Sequence, residues 1–324
     1  MSPVNGEIDL PGFDASCAPA QVQNYPSMTT KGEKSLLYWL ARHYFSGDGL
    51  IVDAGLFLGA STNAFATGLK ENAQALARIE PGRKPIHSYD IAIWVQGMDK
   101  YLIQHATQKA LKGKTPKRGA SFEPILRELL RAHQPLVDLR IGDIVKTASA
   151  DRPVEIAFYD CLKSKAVDWA VFKAFGPHYV PGRTIVVQQD YFFEGAPDNK
   201  IRQEFLDPYF TYLGGMATSA VFRLDKALPQ AFFEKDPIDE LSAGEQRVLL
   251  ARAAQRAIEP KWRLYAQMSE VLFTAQHVDR GQALAQLEEI EAEMKKHPIE
   301  LLGTRMLQAV ATLRERVLPQ DGAA

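Results

Sequence analysis

Five short apolar runs recur along the chain, and their repetition limits the architecture more than any other feature. They are LIVDAG at 50–55, PIHSYDIAI at 85–93, VDLRIGDI at 137–144, VEIAFYDCL at 154–162 and RTIVVQQDY at 183–191. Each has the length of a strand, and helix-forming segments separate most of them. Strand and helix in repeated alternation predict a parallel sheet covered on both faces, because a parallel crossover needs a long connection and buries the strands it joins. The expectation is an α/β protein with a Rossmann-like, doubly wound, mostly parallel sheet.

The flanking segments divide the chain. Residues 1–30 are rich in Pro, Ser, Asn and Gly without a sustained period and read as an N-terminal arm or lid. Residues 31–235 carry the α/β pattern, beginning with GEKSLLYWLARHYF, in which Leu36, Leu37, Leu40, Tyr44 and Trp39 fall on one helical face. The segment STNAFATGLKENAQALARI reads as a helix with Ser61 at its N-cap. Residues 95–134 read as partly helical with a basic loop, KGKTPKRG, and another helix runs from Ala166 to Phe175, where Gly176 and Pro177 stop it. Residues 236–324 form a helical C-terminal extension of three or four helices, broken at Pro260 and Pro298, before a PQDGAA tail. Within it QALAQLEEIEAEMKKH reads as a helical cap on the same chain or as a contact between copies, so a homo-oligomer stays open.

Composition excludes several classes. With 38 basic and 39 acidic residues the chain has no global field to gather nucleic acid or an anionic membrane. Cys17 and Cys161, the two cysteines, have no metal-like spacing and no partner pattern. No secretory leader pattern and no apolar run long enough to span a membrane is present, and the expectation is a cytoplasmic protein without nucleic-acid or membrane partners.

Chemistry belongs at the carboxyl ends of the strands, where an open α/β sheet binds ligands. The first run ends at Asp53, and Gly55 and Gly59 follow in a turn that lets backbone approach a ligand and opens a helix N-terminus. A dinucleotide fingerprint is missing: it would need glycines at Phe57 and Ala60. Asp90 ends the second run, where nucleotide-binding folds grip a ribose diol. His87 lies inside an apolar strand and reads as a core histidine; His178 precedes the fifth strand, at the wrong end for chemistry. Tyr191, Phe192 and Phe193 are available to wall an acceptor pocket or to pack a core.

The order DAGLFLGAST, SYDIA, RIGDI, IAFYDCLKS, VPGRTIVVQQDY resembles a class I S-adenosylmethionine-dependent methyltransferase, of the macrocin and catechol O-methyltransferase kind, over residues 35–225. The resemblance implies that Asp53, Gly55 and Gly59 line the methionine end of the cofactor with Ser61 and Thr62 nearby. It implies further that Asp90 holds the ribose and that Gly142 and Asp143 flank the adenine. Asp160 and Lys163 match a D-x-x-K in which the acid binds a divalent ion such as Mg2+ and the lysine takes a proton from an acceptor hydroxyl. Asp160, Gln189 and Asp190 would then be the metal ligands. Two departures stand out: the macrocin-type D-G-D-H is absent, and Gln189 replaces the leading acid of the fifth-strand motif. The implied activity is methyl transfer to a hydroxyl of a small molecule, a sugar or a phenol. Two other readings stay open, a catalytically silent nucleoside-binding protein with a helical partner-binding region, and a nicotinamide-dependent reductase.

Overall fold

In the computed structural model, residues 8–95, 97–99, 101 and 117–318 are described. The basic loop expected near 112–119 falls mostly outside them, as do the first seven residues and the tail at 319–324.

Among the described residues seven strands form one sheet: β1 (Leu50–Ala54), β2 (Ile86–Asp90), β3 (Val137–Ile141), β4 (Val154–Tyr159), β5 (Ile185–Gln188), β6 (Phe210–Met216) and β7 (Ser219–Leu224). Their order is β3-β2-β1-β4-β5-β7-β6. The first five are parallel, and β7 runs antiparallel to both β5 and β6. The chain thus winds outward from β1 to β3, returns, and winds the other way from β4, so the direction reverses between β1 and β4. This is the Rossmann-like, doubly wound arrangement, and its switch point lies at the carboxyl ends of those two strands.

Every residue of β1 is buried, with side chains alternating between two apolar layers. Ile51 packs with Leu36, Leu37, Leu40, Phe65 and Leu69 of helices α1 (Lys31–Trp39) and α2 (Ala60–Lys70) and the turn after α1. Val52 and Ala54 face the opposite layer, with Val171, Phe172 and Phe175 of α4 (Lys165–Phe175); α3 (Ala73–Arg78) lies between α2 and β2 in the chain. Burial on both faces is what a central parallel strand requires, and it explains the unbroken apolar run.

The helix after β1 begins earlier than its sequence pattern indicates. Its N-cap is Gly59, in the left-handed region at φ 85°, so Ser61 lies inside the first turn. The helix also breaks at Asn72, whose side chain caps α3 by accepting from the Ala75 N–H at 3.0 Å. Residues 8–30 are more than an arm: Ile8, Leu10, Ala18 and Val22 are buried in the first apolar layer.

Helix α5 (Pro197–Phe205) precedes the β6–β7 hairpin, and the C-terminal region then contains α6 (Ala243–Gln255), α7 (Pro260–His277), α8 (Arg280–Met294) and α9 (Thr304–Val317). Helices α7, α8 and α9 enclose an apolar cluster of their own around Met268, Leu287 and Met306. Ala253, Ala254, Ala257 and Ala266 belong instead to the layer against the sheet, where small side chains let α6 and α7 approach Phe192 and Phe222. No helix among the described residues is long and apolar enough to cross a membrane.

Candidate active site at the carboxyl rim

The rim is assembled by hydrogen bonds that continue each ladder beyond its strand. The Gly55 N–H donates to Tyr89 O at 2.9 Å, Asp160 N–H to Ala54 O at 2.7 Å, Gly142 N–H to Asp90 O at 2.9 Å and Gln189 N–H to Tyr159 O at 2.9 Å. Adjacent strand ends are thereby locked side by side from β3 to β5, and the residues singled out by sequence lie along one edge.

At the switch point the backbone turns tightly. Gly55 (φ 93°), Phe57 (φ 51°) and Gly59 (φ 85°) all have positive φ. A Cβ on Gly55 would lie 2.7 Å from the Asp160 backbone, so close packing of the β1 and β4 loops itself demands glycine. Phe57 takes the left-handed conformation despite its side chain, which packs edge-on against Phe122 and Tyr101.

Asp53 is sealed at 0% exposure beneath the first turn of α2. One carboxylate oxygen accepts from both the Ser61 and Thr62 hydroxyls, and the other has no hydrogen-bond partner. Burial pushes its pKa up to about 7, against the lowering effect of the two hydroxyls. The sequence expectation sets Asp53 and Thr62 against the cofactor; in the structure both are buried under the turn and act by fixing its shape. Ser61 and Gly55 line a small cavity there, whereas Gly59 packs against Leu130.

Asp90 lies at the end of β2 with its carboxylate turned to the β1 loop. It accepts from the Phe57 N–H at 2.8 Å and the Ala92 N–H at 2.7 Å. Burial raises its pKa, and those backbone donors oppose the rise. Gly142 adjoins Asp90 through its N–H, and the Asp143 side chain caps a short turn by accepting from Val145 N–H at 3.1 Å.

Beyond the switch point stands a charged cluster. Lys163 Nζ donates to Asp160 Oδ1 at 3.0 Å and also to Asp190 Oδ2. Burial would lower the Lys163 pKa, but the two carboxylates outweigh it and hold the ammonium well above its usual value. Lys163 is therefore a cation in this arrangement, and the sequence expectation that it serves as a base near neutral pH is not met by its surroundings. Asp190 has φ 60°, an unusual conformation for a residue with a side chain. Of the three aromatics after it, Tyr191 and Phe192 are core, at 0% and 2% exposure. Phe193 is half-buried and stacks on Tyr265 of α7 at 5.5 Å between centroids.

Gln189 faces away from this cluster. Its amide donates to Thr218 Oγ1 at 3.1 Å and its carbonyl oxygen accepts from Ser219. Ser219 Oγ also lies 2.8 Å from Glu33 Oε1, within hydrogen-bond distance. Glu33, 2% exposed, is a residue that sequence reasoning passed over. Its other oxygen accepts from the Thr30 N–H and hydroxyl, completing the capping box of α1. The T-x-x-E signal at 30–33 announces a helix start, and only the fold brings it to the rim. Lys200 of α5 was likewise missed: it is fully buried, donates to Gly195 O at 2.6 Å and Ala196 O at 3.2 Å, and has its pKa lowered to about 7 by burial.

His87 is 8% exposed, and burial lowers its pKa to about 4, in keeping with a neutral core histidine. Cys17 and Cys161 are free thiols.

The residues fit S-adenosylmethionine in kind. Asp90 supplies a carboxylate at the end of β2, and Gly55 and Ser61 line a cavity at a helix N-terminus. That cavity, however, measures about 20 Å3 and is roofed by residues Pro26 to Thr29. It holds about one water, whereas a ligand of this size needs a few hundred Å3 or more. A divalent ion fits less well. Gln189 is committed to the β7 hairpin, and among the described residues no group of three or more His, Cys, Asp or Glu is arranged to hold a metal.

No protein-family model and no curated protein matches the chain. Among solved structures, the apo form of CalS11, a TDP-rhamnose 3'-O-methyltransferase of calicheamicin biosynthesis, is 18% identical with a TM-score of 0.44, covering 64% of this chain and 89% of that one. The O-methyltransferase NovP is 16% identical with a TM-score of 0.43, covering 63% and 84%. A Bacillus cereus O-methyltransferase in complex with SAH is 14% identical with a TM-score of 0.39, covering 63% and 84%. Likeness this distant leaves the functional reading to the geometry of the rim.

Proposed function

We propose that this chain is an S-adenosylmethionine-dependent methyltransferase acting on a hydroxyl of a small molecule, a sugar or a phenol. The observation that carries the reading is the division of one continuous rim at the switch point. On one side Asp90, Gly142 and the Gly55–Gly59 turn offer a carboxylate and backbone donors suited to a nucleoside with an amino-acid tail. On the other, Asp160, Lys163 and Asp190 form a compact polar cluster suited to an alcohol. Acceptor and methyl donor would thus meet across the β1–β4 junction.

When bound, the cofactor supplies an activated methyl group on a sulfonium. The protein holds the acceptor oxygen in line with it, and such positioning accounts for much of the acceleration available to a displacement of this kind. The Lys163 ammonium directs an N–H toward the acceptor oxygen and stabilises negative charge there, and an Asp160 or Asp190 carboxylate oxygen accepts the departing hydroxyl proton. Transfer of a tritiated methyl group to a panel of sugars and phenols tests the proposal: incorporation that disappears in Asp160→Asn supports it.

One observation favours a second reading, a nucleoside-binding protein without turnover. Gln189 stands where the resembled motif has its leading acid, and its amide is committed to Thr218 and Ser219. Binding of S-adenosylmethionine with no methyl transfer to any acceptor would select it.

A further inference from the structure

We propose that the Lys163 ammonium is the resident cation of this rim, standing in the position between Asp160 and Asp190 where the resemblance calls for a divalent metal. The donor count alone would not exclude Mg2+, which keeps several waters and is often held by only one or two carboxylates. The obstacle is what stands between them. Nζ contacts both carboxylates at once, 3.0 Å from Asp160 and directly against Asp190.

The rest of the neighbourhood is consistent with a fixed monovalent charge. The amide at Gln189, where a further acid would complete a metal shell, is held by Thr218 and Ser219 and adds no negative charge. Glu33, the acid behind Ser219, is occupied by Thr30 and Ser219 and turned toward the start of α1. A divalent ion added between Asp160 and Asp190 would meet the Lys163 ammonium at contact distance. Like charges at such separations repel, and more strongly in a partly buried setting than in water.

The contribution of Lys163 to methyl transfer rests on the function proposed above, but the identity of the cation does not, because metal titration needs neither cofactor nor acceptor. The test follows the EPR signal of free Mn2+ during titration of the full-length protein. Wild type is expected to leave the signal undiminished. Lys163→Ala is expected to take up one Mn2+ at least roughly tenfold more tightly than wild type, since removing the ammonium leaves two facing carboxylates. Lys163→Gln, which keeps the side-chain length, is expected to do the same and serves if the alanine variant does not fold. Loss of the acquired binding in Lys163→Ala with Asp190→Asn would assign it to this pair. Stoichiometric Mn2+ binding by wild type that Asp160→Asn abolishes would overturn the proposal. So would a folded Lys163 variant that binds no more metal than wild type.

Discussion

Single residues at the switch point carry the tightest constraints. Gly55→Ala would place a Cβ 2.7 Å from the Asp160 backbone at φ 93°. The backbone strain alone costs about 1–3 kcal/mol, and the clash adds to it by parting the β1 and β4 loops. Urea denaturation should show the loss, and a variant as stable as wild type would mean that the two loops do not meet as described. Asp53 gives a pH-dependent counterpart. Its folded pKa of about 7 exceeds the value of about 4 in an unfolded chain. The folded state therefore holds this proton more tightly. Its contribution to stability is full below about pH 4, falls as pH rises, and is gone above about pH 7. Asp53→Asn cannot ionise, so its stability relative to wild type should rise between about pH 4 and about pH 8; parallel denaturation profiles across that range would refute the assignment. Asp53, Gly55 and Asp90 were legible in the sequence because each sits at the end of an apolar run. Glu33 and Ser219 were not, since they arrive from α1 and β7 and meet Gln189 only in the folded chain.

Among the elements, the parallel strands were legible because burial on both faces demands an unbroken apolar run. The β6–β7 hairpin was not. Its strands shift register between Tyr212 and Gly214, and Gly214 and Gly215 interrupt the alternation that would otherwise mark it. Helix α5 shows a different kind of hidden order, since its sequence is polar and yet six of its nine residues are 3% exposed or less. Arg202 explains part of this: it pairs with Asp168 of α4 at 2.6 Å and with Asp236 at 2.9 Å, all three being 5% exposed or less. Glu204, fully buried, accepts from Arg252 and Arg256 at the end of α6 and from Tyr191, the neighbour of Asp190. Removing one partner from such a cluster leaves charges buried without compensation. Arg202→Met should lower unfolding free energy by about 3–5 kcal/mol, measured by chemical denaturation, and a change under 1 kcal/mol, roughly a surface-pair value, would show that the triad is hydrated.

At the scale of the molecule, the C-terminal helices are fused to the sheet even though α7, α8 and α9 share a core of their own. Ala253, Ala254 and Ala257 close the apolar layer over Phe192 and Phe222, and Ser269 of α7 donates to Phe193 O at 3.0 Å in the loop that follows Asp190. Deleting residues 243–318 should therefore expose that layer and give aggregation in light scattering, and a monomeric, folded remainder would show that the helices form a separable domain. The helical character of this region was legible in its period, but its docking was not, because small alanines in a helix carry no signal about which surface they meet. The central claim is that the rim from β3 to β1 holds a nucleoside through Asp90. Calorimetric titration with S-adenosylhomocysteine tests it most directly: wild type is expected to bind one equivalent, and Asp90→Ala to bind about tenfold more weakly or worse, the loss of hydrogen bonds to a charged group. Absence of binding heat in the wild type, or affinity unchanged in the variant, would contradict it.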